Sequence, residues 1–113
     1  MTSQGSASGR FTRAVQTRNL FMAEVALKEM GSPSLILALD YIVLLSELKP
    51  EKARIAALRW HGRLEIEARS MSLEESRLAL NALEMLCAGD SEVVPILRRL
   101  LRRVSPLAMP RFG

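Results

Sequence analysis

Hydrophobic residues recur every three or four positions along most of the chain, which is the spacing of amphipathic α-helices. The first such segment begins between Thr12 and Asn19 and runs to Met30, and Gly31 ends it. Ahead of this helix, residues 1–9 are mostly small and polar. Such a composition predicts a flexible tail with no anchor in the core.

The second helix, over 35–48, is apolar on nearly every side. Ser32 is a suitable N-cap, and Pro33 fits the first helical position because its missing N–H would be unpaired there in any residue. A helix without a polar face has to be surrounded by protein. We therefore expect this helix at the centre of the fold. The dipeptide Lys49-Pro50 then ends it and starts the next helix.

The third helix, about Glu51 to Arg69, carries two apolar stripes separated by charged residues. A helix of this kind contacts neighbours on two sides. The second stripe consists of Ile55, Leu58, Gly62 and Ile66. A glycine inside a helix costs about 1 kcal/mol relative to alanine. Gly62 therefore predicts the close approach of another helix, either within the fold or across a dimer.

Two further helices complete the chain. Ser72 and Glu75 have the spacing of a capping box, which predicts a fourth helix over about 73–88. Asp90 or Ser91 can cap a fifth helix, which either kinks at Pro95 or has regular geometry only from near Pro95. This helix ends at Ser105, because Pro106 follows.

No segment shows sustained alternation of apolar and polar residues, so the predicted fold class is all-α. Connections of two to five residues favour about five antiparallel helices, in a compact bundle or a short stack of helical hairpins. With 113 residues, 49% of them hydrophobic, the chain can bury one core. We expect a flexible tail at 1–9, a single all-α domain at 10–105 and an extended tail at 106–113.

The net charge is +4, and the excess of cations lies toward the two ends of the chain. On the fifth helix Arg98, Arg99, Arg102 and Arg103 share one arc. This arginine patch fits the phosphates of a nucleic acid or an acidic partner. The same pattern is also typical of a solvated helix face whose arginines pair with acidic residues of the fourth helix. The second interpretation is favoured, since no aromatic side chain interleaves with the arginines.

Signatures of catalysis and metal binding are missing from the sequence. His61 is the single histidine, and Glu65 lies one turn later, so a surface His–Glu pair is expected. One imidazole with scattered carboxylates falls short of a usual ligand set, and no phosphate-binding glycine loop is present. We expect no catalytic, cofactor-binding or metal-binding residues. An enzyme would need a pocket that gathers His61, Cys87 or Tyr41 with carboxylates.

The longest apolar run, over 35–45, is interrupted by Asp40 and is shorter than the roughly 20 residues that span a bilayer. A single cysteine, Cys87, fits a reducing compartment. These features predict a cytoplasmic protein with no membrane partner.

Three stretches carry a resemblance to known proteins: RNLFMAEVALKEMG at 18–31, AALRWHGRL at 56–64 and SLEESRLALNAL at 72–83. Together they resemble the small uncharacterised all-helical cytoplasmic proteins of GC-rich actinobacteria, and the resemblance covers residues 18–103. It implies a bacterial, cytoplasmic setting. No activity is known for that group, so the resemblance implies no catalytic residues.

The function that the sequence predicts is a non-enzymatic protein–protein interaction module that self-associates. The apolar arcs of the second and fourth helices exceed what a five-helix monomer covers, which favours an oligomer. The surface predicted for the partner is the second stripe: Ile55, Leu58, Gly62 and Ile66. The alternative is a nucleic-acid-associated regulator that uses the arginine patch: Arg98, Arg99, Arg102 and Arg103, with Arg10, Arg13 and Arg18 as auxiliary contacts.

Overall fold

A computed structural model describes residues 6–105, and every regular element in this range is helical. The elements are α1 (Ala7–Gln16), α2 (Leu20–Met30), α3 (Leu35–Leu48), α4 (Pro50–Glu67), α5 (Leu73–Cys87) and α6 (Val94–Val104), with a 3-10 turn at Ser91–Val93. The predicted all-α class is confirmed, with six helices in place of about five. The predicted tail at 106–113, like residues 1–5, lies outside the described residues.

The helix α1 was not predicted from the sequence. Residues 7–9, expected in a flexible tail, form its first turn, and the hydroxyl oxygen of Ser6 accepts a hydrogen bond from the Gly9 N–H at 3.1 Å. Phe11 is completely buried and so anchors α1 to the rest of the fold. The chain turns at Arg18, whose φ is +58°, before α2 begins. The helix predicted to end at Met30 is therefore α2 alone.

The position of α3 agrees with the prediction, because it packs against α1, α2, α4, α5 and α6. Its buried side chains are Leu35, Ile36, Leu39, Ile42, Leu44 and Leu45. The predicted cap is wrong by two residues: Ser34, not Ser32, accepts the N–H of Leu37, at 3.4 Å. Pro33 consequently precedes the helix instead of opening it.

Two clusters of buried side chains meet on α3. The larger cluster joins α3 to α4, α5 and α6. The smaller one joins the α1–α2 hairpin to α3 and consists of Phe11, Ala14, Ala23, Ala26 and Leu44. The hairpin thus covers apolar surface of α3 that was expected from the sequence to exceed what a five-helix monomer can bury.

The predicted boundaries of α4, α5 and α6 agree closely with the structure. Pro50 and Pro95 lie in the first turns of α4 and α6. The capping box is confirmed, since the Ser72 hydroxyl accepts the Glu75 N–H at 3.0 Å while the Glu75 carboxylate accepts the Ser72 N–H at 2.9 Å. Between residues 6 and 105, no helix is both long and apolar enough to cross a bilayer.

Candidate functional site

Of the two apolar stripes predicted for α4, one is buried and the other is exposed. The first stripe is buried against the core and consists of Ala53, Ala57, Trp60, Leu64 and Ala68. Since residues of a helix are spaced by about 100°, this places the second stripe on the side of α4 that faces away from α3 and α5. We refer to the second stripe as the outer face of α4: Ile55, Leu58, Gly62 and Ile66.

The outer face of α4 is exposed along its whole length. The exposed fractions are 57% for Ile55, 65% for Leu58 and 78% for Ile66. A Cβ built on Gly62 would meet no atom of another described element within 4 Å. The prediction that another helix approaches Gly62 within the fold is therefore wrong for residues 6–105. The other alternative, an approach across a dimer, stays a prediction.

One edge of the outer face borders α5. Arg54 and Leu58 line a small cavity of about 170 Å³ together with residues of α5: Leu80, Leu83, Glu84 and Cys87. Glu65, three turns after Arg54, accepts a hydrogen bond from the Ser76 hydroxyl of α5 at 2.5 Å. Neither Arg54 nor Glu65 forms an ion pair with another described residue.

The other edge borders α3 and is cationic. Arg59 lines a groove of about 270 Å³ with Ala38 and Tyr41 of α3. Arg63 on this edge pairs with Glu67 at 2.5 Å. The two edges of the outer face thus differ in charge: the α5 edge carries both signs, and the α3 edge carries arginines.

His61 does not pair directly with Glu65, as the sequence predicted, but through Ser76. The Nε2 atom of His61 lies 2.9 Å from the backbone oxygen of Ser76 and 3.0 Å from its hydroxyl oxygen. The Ser76 hydroxyl in turn donates to the Glu65 carboxylate. Ser76 was not among the residues predicted from the sequence. The available signal was a serine on the apolar arc of α5, where a buried hydroxyl needs partners.

The hydrogen-bond partners in this cluster assign its protons in a way that does not suit nucleophilic attack by Ser76. A carbonyl oxygen only accepts, so the Nε2 atom of His61 carries the proton. The Ser76 hydroxyl proton points to Glu65, and the imidazole therefore has no free nitrogen on the side of Ser76 that could remove it. His61, Ser76 and Glu65 therefore form a hydrogen-bonded contact that links α4 to α5.

The other two side chains considered for catalysis lie in separate places. The Tyr41 hydroxyl donates to Glu24 at 2.7 Å, and burial together with that carboxylate raises the pKa of Tyr41. Burial also raises the pKa of Cys87, against an opposing effect of Arg54. A raised pKa keeps a thiol protonated and unreactive. No group of three potential metal ligands is found in the part of the chain that the structure describes.

The arginine patch is divided between paired and unpaired side chains. Arg98 forms a half-buried ion pair with Asp40 of α3, and Arg103 pairs with Glu75 of α5. Arg99 and Arg102 are exposed and have no ion-pair partner among residues 6–105. Asp40, which interrupts the apolar run of α3, is therefore paired with an arginine from a neighbouring helix. Burial raises the pKa of its carboxyl group, and Arg98 opposes the shift.

A larger groove of about 570 Å³ lies between α2 and α3. Its walls include Phe21, Leu27, Ala38 and Tyr41, and Glu24 and Lys28 supply its charges. The sequence did not predict this groove, because its shape depends on how the α1–α2 hairpin packs against α3.

Comparison with protein-family models, with curated proteins and with solved structures finds no match to this chain.

Proposed function

We propose that this chain is a non-enzymatic protein–protein interaction module that self-associates through the outer face of α4. The observation that carries the proposal is that three large apolar side chains, Ile55, Leu58 and Ile66, each expose more than half of their surface on one helical face. Isolated exposed hydrophobic residues are ordinary, but a contiguous apolar stripe with a polar rim is typical of an interaction surface. The rim here consists of Arg54 and Glu65 on one side and arginines on the other.

The internal contacts of α4 support the same proposal. Trp60 and the other residues of the first stripe already attach α4 to the core. The outer face is thus not needed to hold the monomer together. Burying it against a partner would remove apolar surface from water at about 25 cal/mol per Å².

Sedimentation velocity or light scattering over a wide range of protein concentrations tests the proposal. The wild type should associate, and the Leu58→Glu variant should be monomeric because a carboxylate would have to be buried in the interface. Leu73→Glu is a matched control: Leu73 is 69% exposed and apolar, but it lies in the first turn of α5, where an acid is tolerated.

Two results decide the outcome, and a third measurement checks that the variants are folded. Association that Leu58→Glu abolishes and Leu73→Glu preserves supports the proposal. A wild type that stays monomeric at every concentration contradicts it. Circular dichroism of both variants should show unchanged helix content, because both side chains point away from the core.

A second proposal, nucleic-acid binding, is favoured by Arg99 and Arg102. These two side chains are exposed one turn apart, and neither has an acidic partner among the described residues. Arg98 and Arg103 contribute less to this second proposal, since each is already held by a carboxylate.

Retention on a short random duplex at low and high salt tests the second proposal. Changing Arg99 and Arg102 together to Gln should abolish a retention that falls steeply with salt. Changing Arg98 and Arg103 to Gln removes the same formal charge and is the matched control. An equal loss in both double variants, or no retention of the wild type, would count against a specific role of Arg99 and Arg102.

A further inference from the structure

We infer that the partner of the outer face of α4 is a second copy of this chain, paired as an antiparallel helix about a two-fold axis, with Leu58 of each copy packed over Gly62 of the partner subunit. The inference rests on the proposed self-association and specifies its geometry. Most soluble homo-oligomers have closed symmetry, and a two-fold contact brings the same surface of both copies together.

The spacing of the outer face suits an antiparallel pair. Its four positions, 55, 58, 62 and 66, span about 16 Å along the helix at 1.5 Å per residue. An axis near position 60 places Ile55 opposite Ile66 of the partner subunit and Leu58 opposite Gly62 of the partner subunit. Every apolar residue of the face is then covered by another position of the same face.

Gly62 gives this arrangement its shape. Helices pack about 8 to 10 Å apart, depending on the side chains at the contact. A leucine side chain fits between two helices where the facing residue is small, and the space above Gly62 is open to 4 Å in the described structure. Leu58 is 65% exposed and so is free to fill that space on a second copy.

The charges on the α5 edge are self-complementary in this register. In an antiparallel helix pair each edge meets the same edge of the partner. Arg54 of one copy would then lie beside Glu65 of the partner subunit, and the two-fold axis repeats this pair once more. Both side chains lack an ion-pair partner within residues 6–105, so the new pairs replace no existing ones.

A parallel pair fits less well. Its two helices bring the α5 edge of one copy against the α3 edge of the other, which places Arg54 near Arg59 of the partner subunit. It also sets Leu58 against Leu58 of the partner subunit and leaves Gly62 facing another glycine. Like charges at one place and an unfilled gap at another both disfavour this orientation.

The α3 edge limits the affinity of the antiparallel pair. Arg59 lies close to the axis and would face Arg59 and Arg63 of the partner subunit. Its long side chain is exposed and can extend into water, which reduces the repulsion. The register therefore gives a second, independent prediction: Arg59→Glu should tighten the dimer. The carboxylate at position 59 of each copy would face Arg63 of the partner subunit, which gives two attractive contacts, while one like-charge contact between the two copies of position 59 remains.

Charge exchange on the α5 edge tests the register. Dissociation constants are measured by sedimentation for Arg54→Glu, Glu65→Arg and the double variant. Each single variant should weaken the dimer by about tenfold or more, because it creates two like-charge contacts, and the double variant should restore most of the affinity. The variants that replace Glu65 lose its hydrogen bond with Ser76. Circular dichroism and urea unfolding check that their monomers stay folded.

Gly62→Leu separates association from folding. The new side chain meets no atom within the monomer and improves helix propensity, so the stability of the monomer should not fall. It would fill the space that Leu58 of the partner subunit needs, so association should be lost.

Disulfide formation gives the positional test. A mixture of Leu58→Cys and Gly62→Cys chains, both carrying Cys87→Ala, should form the mixed disulfide faster than either chain crosslinks with itself. An associating wild type with unchanged affinity in both single charge variants, or with preferred Gly62→Cys self-crosslinking, overturns the register but not the self-association. A monomeric wild type overturns both.

Discussion

The indole Nε1 of Trp60 donates a hydrogen bond of 2.9 Å to the backbone oxygen of Leu35. Both residues are buried, with exposed fractions of 4% and 0%. The bond joins the middle of α4 to the first turn of α3 and fixes the rotation of α4 about its own axis. With Trp60 turned inward, the outer face of α4 has to point to solvent.

Trp60→Phe should lower the free energy of unfolding by about 1 to 2 kcal/mol, because the aromatic ring stays while the hydrogen bond to Leu35 is lost. Trp60→Ala should cost more, about 3 to 5 kcal/mol, since it also opens a cavity. Urea unfolding measures the stability of both variants. Circular dichroism has to monitor it, because both substitutions remove the single tryptophan and its fluorescence. A Trp60→Phe variant as stable as the wild type would show that the hydrogen bond contributes nothing net.

Phe11→Ala should lower the free energy of unfolding by about 3 to 5 kcal/mol, because Phe11 is completely buried and holds α1 against α2 and α3. Phe21→Ala is the matched control: Phe21 is 72% exposed on α2 and should change stability by no more than about 0.5 kcal/mol. Equal effects of the two substitutions would contradict the packing of α1.

The parts of the fold that the sequence predicted correctly are those with local causes. The surface of α3 is apolar on nearly every side, so this helix has to lie at the centre of the fold. The pattern from Ser72 to Glu75 encodes a capping box within four residues. Pro50 and Pro95 lie at helix starts because their missing N–H is harmless there. Each of these features can be identified without knowing which helices are neighbours.

The features that the sequence did not predict depend on neighbours distant in the chain. Phe11 stands among polar residues, and its burial needs the hairpin that α1 forms with α2. His61 meets Ser76 only because α4 and α5 pack side by side. The second stripe of α4 was identified by its period, but periodicity does not tell whether the fold covers a stripe. Whether this stripe is exposed depends on which side of α4 packs against α3 and α5.

Asp40 should make the stability depend on pH, in the direction that its burial sets. Burial raises the pKa of Asp40 above its value of 3.8 in the unfolded chain, and Arg98 only partly opposes the shift. The protonated form is thus favoured by folding. Its contribution to stability is complete below pH 3.8 and is lost as the pH rises through the folded pKa.

Asp40→Asn tests that sign, because asparagine does not titrate. The stability of the wild type relative to Asp40→Asn should decrease as the pH rises from about 3 to 7. Arg98→Gln removes the opposing charge, so the same decrease should then extend to higher pH. Urea unfolding at several pH values measures both, and a wild-type advantage that grows with pH would contradict the burial of this carboxyl group.

Glu75 should act in the opposite direction. The Ser72 N–H and the Arg103 guanidinium lower the pKa of Glu75 below 4.5, so its contribution to stability is present above pH 4.5 and is lost as the pH falls through the folded pKa. Glu75→Gln can still accept the Ser72 N–H but cannot pair with the charge of Arg103. The wild type should therefore be more stable than Glu75→Gln at neutral pH, and the difference should vanish in acid. Glu74→Gln, in the same turn but without an ion pair among the described residues, should show a smaller difference.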